Sequence, residues 1–581
     1  MVDLKYSEIL RLNKELGTKL ILNPYHVTVL SNIVVNHIKE IFEYNMRTAS
    51  INAIVEIADY DNIVQDSLKF KDSNLAIVFW ELCNLIDGFQ FKVEFLNDDQ
   101  LNAIIEKTKL EIDLTLRNLH DTSMVLFNKF SSLQFSHGSV RDTQLDKLSC
   151  RLNDYLEDNI PANVRLVEID KVFFNVVKGK VCDLRYFYSS KSLYTLDFFY
   201  AYVDFIKPFV ISANGKAKKA LIFDCDNTLW KGVLGEDGFE NIEMSQKTKD
   251  GAIFAEIQYI AMSLSKQGVL IGLCSKNNFN DVCEVLKTHP DIQLKEEFIT
   301  INKSNWSDKV SNLKEIALEL NIGIDSLVFV DDSPFEVNLI REQLPQVTVL
   351  LVPEKLYEYP KLLRNNIDLF YNLSYTTEDQ NKLEMYKQQN VRENSKKEFA
   401  DIEDYLISLQ LQITIYLNDL TIIPRLSQMS QKTNQFNLTT KRYTEGDIKN
   451  YMESGNSYVF AFSIADKFGN YGITGLCIII EKGSEFHYEI DTFLMSCRII
   501  GRNIEYSFIN YLIDYLKSKN VKIVSAKYIK TLKNEQVKDF YDNLQFNLVT
   551  SNDLFKSYDL NIDNFTFKQL NYIDIKYGKE N

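Results

Sequence analysis

Three short apolar stretches constrain this chain more than any other feature, because each runs directly into residues that can do chemistry. Ala220–Phe223 ends on Asp224, with Asp226 two residues on and Thr228 beyond it. The stretch 268–274 ends on Ser275, and 327–330 ends on Asp331 and Asp332. Between them lie segments of helical periodicity. In 252–267, Ile253, Ile257, Ile260, Ala261 and Leu264 share one face. In 305–320, Val310, Leu313, Ile316, Ala317 and Leu320 do the same, with Ser307 as the expected N-cap. Apolar strands alternating with amphipathic helices imply a parallel sheet covered on both faces. Open sheets of this kind bind ligands at the carboxyl ends of their strands, where these polar residues fall.

Residues two apart in an extended strand end point the same way, so Asp224 and Asp226 are expected to face one pocket. Two adjacent carboxylates repel each other unless a proton or a cation relieves them. A hard divalent cation with oxygen ligands, Mg²⁺, meets that need. Ser275 can hydrogen-bond a phosphoryl oxygen. Lys309 lies in the first turn of a helix, where a cation is electrostatically unfavourable, unless it serves an anion or the Asp224 carboxylate.

The ordered set of DxDxT, Ser, Lys and Asp-Asp on successive strand–helix units resembles the haloacid dehalogenase superfamily of aspartyl phosphotransferases. The segments TLWKGVLGEDG, LCSKNN, INKSNWSDK, SLVFVDDSPFE and QKTNQFNLTTKRYTE (431–445) narrow this to a resemblance to the FkbH-like family over roughly residues 25 to 550. The resemblance implies a nucleophile at Asp224 and a general acid and base at Asp226. It implies phosphoryl binding by Thr228, Ser275 and Lys309, and a Mg²⁺ site of Asp224, Asp226 and Asp332 supported by Asp331. It also implies transfer of a glyceryl unit from a phosphorylated glycerate such as 1,3-bisphosphoglycerate to an acyl carrier protein, in polyketide or surface-polysaccharide biosynthesis. Two positions depart from the family pattern: Cys225 where an aliphatic residue is usual, and Val337 where an arginine is usual.

A chain of 581 residues is too long for one core, and three domains are expected in an α/β chain. Residues 1–210 read as a first α/β domain, and the family resemblance implies a flavodoxin-like domain similar to SGNH esterases there. Ser31 falls at the nucleophile position, but 163–215 lacks the Asp-x-x-His such an esterase needs, and His120 and His137 are isolated. A docking or substrate-presenting role is expected instead. Residues 211–355 form the haloacid dehalogenase-like parallel-sheet domain. Residues 356–400 read as a helical connector with a capping box at Thr376–Asp379, and 401–581 as an α+β domain. The net charge of −15 disfavours a nucleic-acid partner, and it requires any docking patch for an acidic carrier protein to be locally basic. No apolar run approaches the ~20 residues of a membrane span, and the first residues lack a signal-peptide pattern. Eight cysteines without metal-ligand spacing fit a reducing cytoplasm.

In the last domain, strands at 409–417, 458–466, 471–480 and 486–495 precede Cys497-Arg498-Ile-Ile-Gly501-Arg502-Asn503, expected to open a helix. A strand, an R-x-x-G-R turn and a helix N-terminus make an anion site. This order, with FYDNLQF (540–546) near the end, resembles the GNAT acyltransferase fold, whose comparable turn holds coenzyme A. Asn503 departs from that pattern, which favours the phosphopantetheine arm of a carrier protein over coenzyme A. A thiol beside two arginines and a helix N-terminus is activated, so Cys497 is the candidate acyl carrier. Lys432, Asn434, Gln435, Asn437, Thr440 and Arg442 are candidate contacts for glycerate or phosphate. Two rival expectations remain: a phosphatase with appended binding modules, and a non-catalytic scaffold.

Overall fold

The computed structural model describes residues 4–20, 23–135, 142–177, 179–373, 399, 401–484, 486–531 and 533–577. His137, the Thr376–Asp379 capping box and most of the expected connector lie outside the described residues. The chain is α/β, with two parallel five-stranded sheets and a mixed nine-stranded sheet. It divides into two compact units, Met1–Asn214 with Tyr443–Lys449, and Gly215–Arg442 with Asn450–Asn581. Among the described residues, no helix is long and apolar enough to cross a membrane.

The first unit holds β1 (Tyr25–Ser31), β2 (Ala53–Ile57), β3 (Leu75–Phe79), β4 (Met124–Asn128) and β5 (Val164–Val167), all parallel, in the order β2-β1-β3-β4-β5. This is the flavodoxin-like strand order. β3 and β4 are buried along their whole length, as central strands with helices on both faces must be. Ser31 closes β1, buried, its Oγ accepting the Ile33 N–H. His120 is exposed and pairs with the neighbouring Asp121.

The second unit opens with β6 (Ala220–Phe223), β7 (Leu270–Ser275), β8 (Ile299–Ser304), β9 (Leu327–Asp331) and β10 (Thr348–Leu351), again all parallel, in the order β10-β9-β6-β7-β8. The chain lays down β7 and β8 on one side of β6, then crosses to add β9 and β10 on the other. The carboxyl ends of β6 and β9 therefore flank the switch point, where such sheets open a crevice. The helix after β8 spans Lys309–Glu319 and is capped by Asp308, whose carboxylate accepts the Ser311 N–H. Asp308 thus takes the capping place expected of Ser307, because it stands one residue closer to the first turn.

The same unit contains β11 (Leu411–Leu417), β12 (Phe436–Asn437), β13 (Ser457–Asp466), β14 (Gly469–Ser484), β15 (His487–Met495), β16 (Ile523–Ile529), β17 (Asn547–Ser551), β18 (Phe555–Asn561) and β19 (Ile573–Tyr577). β11 to β15 form an antiparallel core in which β13, β14 and β15 are buried over most of their central length, with the helix Ile504–Ser518 packed against it through Phe508, Leu512 and Leu516. β15 pairs with β16 in parallel over His487–Ile490 and Ile523–Ala526. Beyond that, β12 pairs with Leu494 and Met495. Leu438 donates to the Phe493 carbonyl and accepts from Ile529 N–H, so this segment bridges both strands where they part.

Two expectations for this region change. Cys497–Ile499 is a 3₁₀ turn, and the helix begins only at Ile504, after Asn503 in a left-handed conformation. The helix expected after the strand VKIVSAKYI, ending at FYDNLQF (540–546), is instead a pair of short 3₁₀ turns, Glu535–Val537 and Asp542–Leu544. Asn534 organises this end. Fully buried, it donates to the carbonyls of Asn437 and Ile529 and accepts the Thr531 N–H. Asn534→Ala strands two buried carbonyls. It is expected to lower the stability of the second unit by about 2–4 kcal/mol, read as a fall in the urea midpoint with unchanged slope.

Candidate active site

Three strand ends and the start of one helix converge at the switch point. Asp224 follows β6 and stays tied to its neighbour, its N–H donating to the Val330 carbonyl of β9 at 2.9 Å. Ser275 ends β7, and Asp331 and Asp332 end β9. Lys309 comes from the first turn of the helix after β8. Its Nζ lies 2.6 Å from Asp331 Oδ2 and 3.2 Å from Asp224 Oδ1, with all three residues buried.

The electrostatics follow from that burial. Burial pushes the Asp224 carboxyl up to about 6, against the pull of Lys309. Burial also raises Asp331 against Lys309, and raises Asp332 with help from the charge of Asp224. Burial alone lowers a lysine, but Asp224 and Asp331 outweigh it and hold Lys309 above its ordinary value. One ammonium thus faces three carboxylates whose oxygens lie within 4.8 Å of one another. The surplus negative charge and the hard oxygen donors suit a divalent cation such as Mg²⁺. Asp331 has both oxygens engaged, Oδ2 by Lys309 and Oδ1 by the Ser333 N–H at 2.8 Å. Asp224 and Asp332 are therefore the carboxylates suited to hold the ion, and Asp331 fixes the lysine. The hydroxyl of Thr228 is buried without a hydrogen-bond partner, and Oδ1 of Asp224 is buried with the Lys309 ion pair but no hydrogen bond, so the site has polar atoms ready for a ligand.

Asp226 does not join this carboxylate set, contrary to its expected place among the metal ligands. Its Oδ1 accepts the Trp230 Nε1–H and the Leu234 N–H, both at 3.0 Å, and its Oδ2 accepts an Asn277 Nδ2–H at 2.9 Å. The tight turn after β6 explains this: Asn227 is left-handed, and its N–H and side chain both bond Gly232. Asn277 also donates to Ser275 Oγ at 3.1 Å, which links Asp226 to the hydroxyl beside Asp224. Asn227, Trp230, Asn277 and the Lys276–Glu336 pair at 2.6 Å are the supporting residues that sequence reasoning missed. Two amides within two residues of the predicted Asp226 and Ser275 were the available signal. Cys225 and Cys274 are fully buried, their thiols raised by burial.

The third-domain candidates are placed differently. Cys497 is partly buried, and its carbonyl accepts from Asn321 Nδ2. It stands in the 3₁₀ turn, seven residues before the first residue of the Ile504 helix. Arg498 and Arg502 are buried rather than displayed. Arg498 Nε donates to Ser496 Oγ, and Arg502 bonds the Tyr471 hydroxyl and the Arg498 carbonyl and lies 3.5 Å from Asp466. Gly501 between them has a positive φ of 83°. The 431–445 segment folds on itself. Arg442, lowered to about 10 by burial, donates to the carbonyls of Ser430 and Thr433 and to Asn434 Oδ1. Asn437 bonds Thr433 and Thr440, and Asn434 also reaches the Gly215 carbonyl. Lys432 ends the helix Ile423–Lys432, and Gln435 keeps a buried Oε1 without a partner.

The chain is similar in structure to the N-terminal part of the protein BF1531 from Bacteroides fragilis, which contains a phosphatase domain and is complexed with Mg. The identity is 25% and the TM-score 0.54, over 64% of this chain and 100% of that one. Lesser similarity is found to Ard1 from Thermoplasma volcanium, at 14% identity and TM-score 0.21, over 26% of this chain and 97% of that one. The spermidine/spermine N-acetyltransferase SpeG from Vibrio cholerae also matches, at 14% identity and TM-score 0.21, over 26% of this chain and 95% of that one. No family model matches the sequence, and no curated protein matches it.

Protons and a metal ion compete for Asp224. Mg²⁺ affinity is therefore expected to be level above pH ~7 and to fall by up to about ten-fold per pH unit below about 6, where Asp224 keeps its proton. Calorimetric titration with Mg²⁺ between pH 5 and 8 measures this. Lys309→Met is expected to destabilise the second unit by about 3–5 kcal/mol, because it leaves buried carboxylates without their cation.

Proposed function

We propose that this chain is a Mg²⁺-dependent phosphatase that works through a phosphoaspartate on Asp224, coupled to transfer of an acyl group by the C-terminal domain. The observation that carries the phosphatase reading is the buried Asp224–Lys309–Asp331 bridge with Asp332 beside it. It lies in a fold similar to that of the Mg-complexed phosphatase structure from Bacteroides fragilis. Asp224 attacks the phosphorus, and the bond to the leaving oxygen breaks. Asp226, oriented by Trp230, Leu234 and Asn277, passes a proton to that oxygen and later takes one from the water that hydrolyses the phosphoaspartate. Ser275, Thr228 and Lys309 hold the phosphoryl oxygens. A bound Mg²⁺ supplies charge neutralisation for the transferring group.

The substrate follows from the FkbH-like motifs: a phosphorylated glycerate such as 1,3-bisphosphoglycerate, whose glyceryl unit passes to the thiol of an acyl carrier protein. Cys497 is the proposed way-station. The eight unpaired cysteines fit a reducing compartment, the cytoplasm. One constraint follows from the fold. Asn321, which holds the Cys497 carbonyl, precedes β9, whereas Asp331 ends it. Five strand residues span roughly 16 Å, so an acyl group on Cys497 does not reach Asp224. Dephosphorylation and acyl transfer are then separate steps on separate edges of one sheet.

A second reading, a phosphatase with appended binding modules, is favoured by the internal bonding of Arg442, Arg498 and Arg502. Two variants test these readings, and the second separates them. Asp224→Asn is expected to lower phosphate release roughly 10³-fold or more under both. Cys497→Ala is expected to leave phosphate release unchanged but abolish glyceryl loading of a phosphopantetheinylated carrier, followed by intact-protein mass spectrometry. Phosphate release with no adduct on either protein would leave the second reading.

A further inference from the structure

The amino-terminal edge of the second parallel sheet carries a cluster of cations that the phosphatase site does not use. Lys216 and Lys218 lead into β6, Asp325 leads into β9, and Lys533 follows β16. Lys533 Nζ lies 2.6 Å from Asp325 Oδ2, and Lys218 Nζ donates to the Asp325 carbonyl at 2.7 Å and lies 3.4 Å from the Gln346 carbonyl. Lys216 feels both Lys533 and Asp325. Lys533 thus pairs with the Asp325 carboxylate, Lys218 bonds its carbonyl, and Lys216 lies within electrostatic reach of both Lys533 and Asp325, in a chain of net charge −15.

This arrangement has a measurable signature. Burial and the neighbouring Lys533 charge pull Lys218 down to about 8, and the same two effects lower Lys216. Half-buried like charges repel unless an anion joins them. The cluster also lies near the Cys497 turn, because the Asn321 amide that grips the Cys497 carbonyl is four residues before Asp325, at most ~14 Å of chain.

We propose that Lys216, Lys218 and Lys533 form a phosphate-binding site on this edge, and that its ligand is the phosphate of a phosphopantetheine arm whose thiol end turns toward Cys497. The site stands on the Lys533–Asp325 and Lys218–Asp325 contacts; the choice of the arm as occupant rests on the acyl-transfer reading above. A phosphate group supplies the missing negative charge, and lysines bind it as point charges.

The test is calorimetric titration of the full chain, in EDTA so that the Asp224 site lacks metal, with 4′-phosphopantetheine, pantetheine and inorganic phosphate. Phosphopantetheine is expected to bind at least about ten-fold more tightly than pantetheine. The advantage is expected to fall with added salt and to be lost in Lys216→Glu/Lys533→Glu. Lys216→Gln, which keeps the Lys533–Asp325 pair, guards against misfolding and is expected to weaken binding while leaving Mg²⁺-dependent ester hydrolysis unchanged. Equal binding of phosphopantetheine and pantetheine, or unchanged binding by a folded lysine variant, overturns the site. Inorganic phosphate binding as tightly as phosphopantetheine, and lost in the same variants, overturns the arm as occupant. Normal phosphopantetheine binding without glyceryl loading of a carrier keeps the site and removes the acyl-transfer reading instead.

Discussion

A single ammonium group held between two buried carboxylates organises the catalytic edge of this protein. Lys309 contributes little to the first turn of its own helix, where the dipole opposes a cation. Its stability comes from Asp224 and Asp331, which arrive on adjacent parallel strands. Removing one partner from such a pair leaves an uncompensated buried charge, so the geometry of all three depends on each. The remaining surplus of negative charge, carried by Asp224 and Asp332, is what makes the site receptive to a cation. Asp331 sets the lysine, and the lysine sets the state of Asp224.

The direction of the strands then separates two charged clusters. Every strand of the sheet β10-β9-β6-β7-β8 runs the same way, so its carboxyl edge gathers Asp224, Ser275, Asp331 and Asp332 while its amino edge gathers Lys216, Lys218 and Asp325. The third sheet meets the amino edge through Asn321–Cys497 and Asp325–Lys533. A parallel sheet cannot bring its two edges together, whatever its side chains do. Any pathway that uses both must carry its intermediate from one to the other.

Much of this was legible in the residues. Apolar runs that stop on Asp224, Ser275 and Asp331 announce strand ends, and the intervening periodicities announce the helices that cover the sheet. What stayed hidden was tertiary. The departure of Asp226 from the carboxylate set depends on the left-handed turn at Asn227 and on Asn277, an amide whose role appears only when β7 lies beside β6. The third domain was legible in its strands but not in its turns. Cys497 and Arg498 look like a helix opening, yet the chain needs the 3₁₀ turn and a left-handed Asn503 before the helix can start. A two-residue strand such as β12 has no periodicity to detect, because its partners lie more than fifty residues away.

That short strand has a larger consequence than its length suggests. Where β15 and β16 part, the main chain of β15 would otherwise offer free donors and acceptors to an extended ligand. Phe436–Leu438 takes those groups instead, Thr439 bonds the Asp491 carbonyl, and Asn534 locks the segment from the other side. Several buried hydrogen bonds would have to break to reopen that edge, each leaving a group that cannot reach water. On the acyl-transfer proposal, an extended arm would therefore be held by side chains at its end groups rather than by pairing along β15, and charge at the anchoring end would decide recognition.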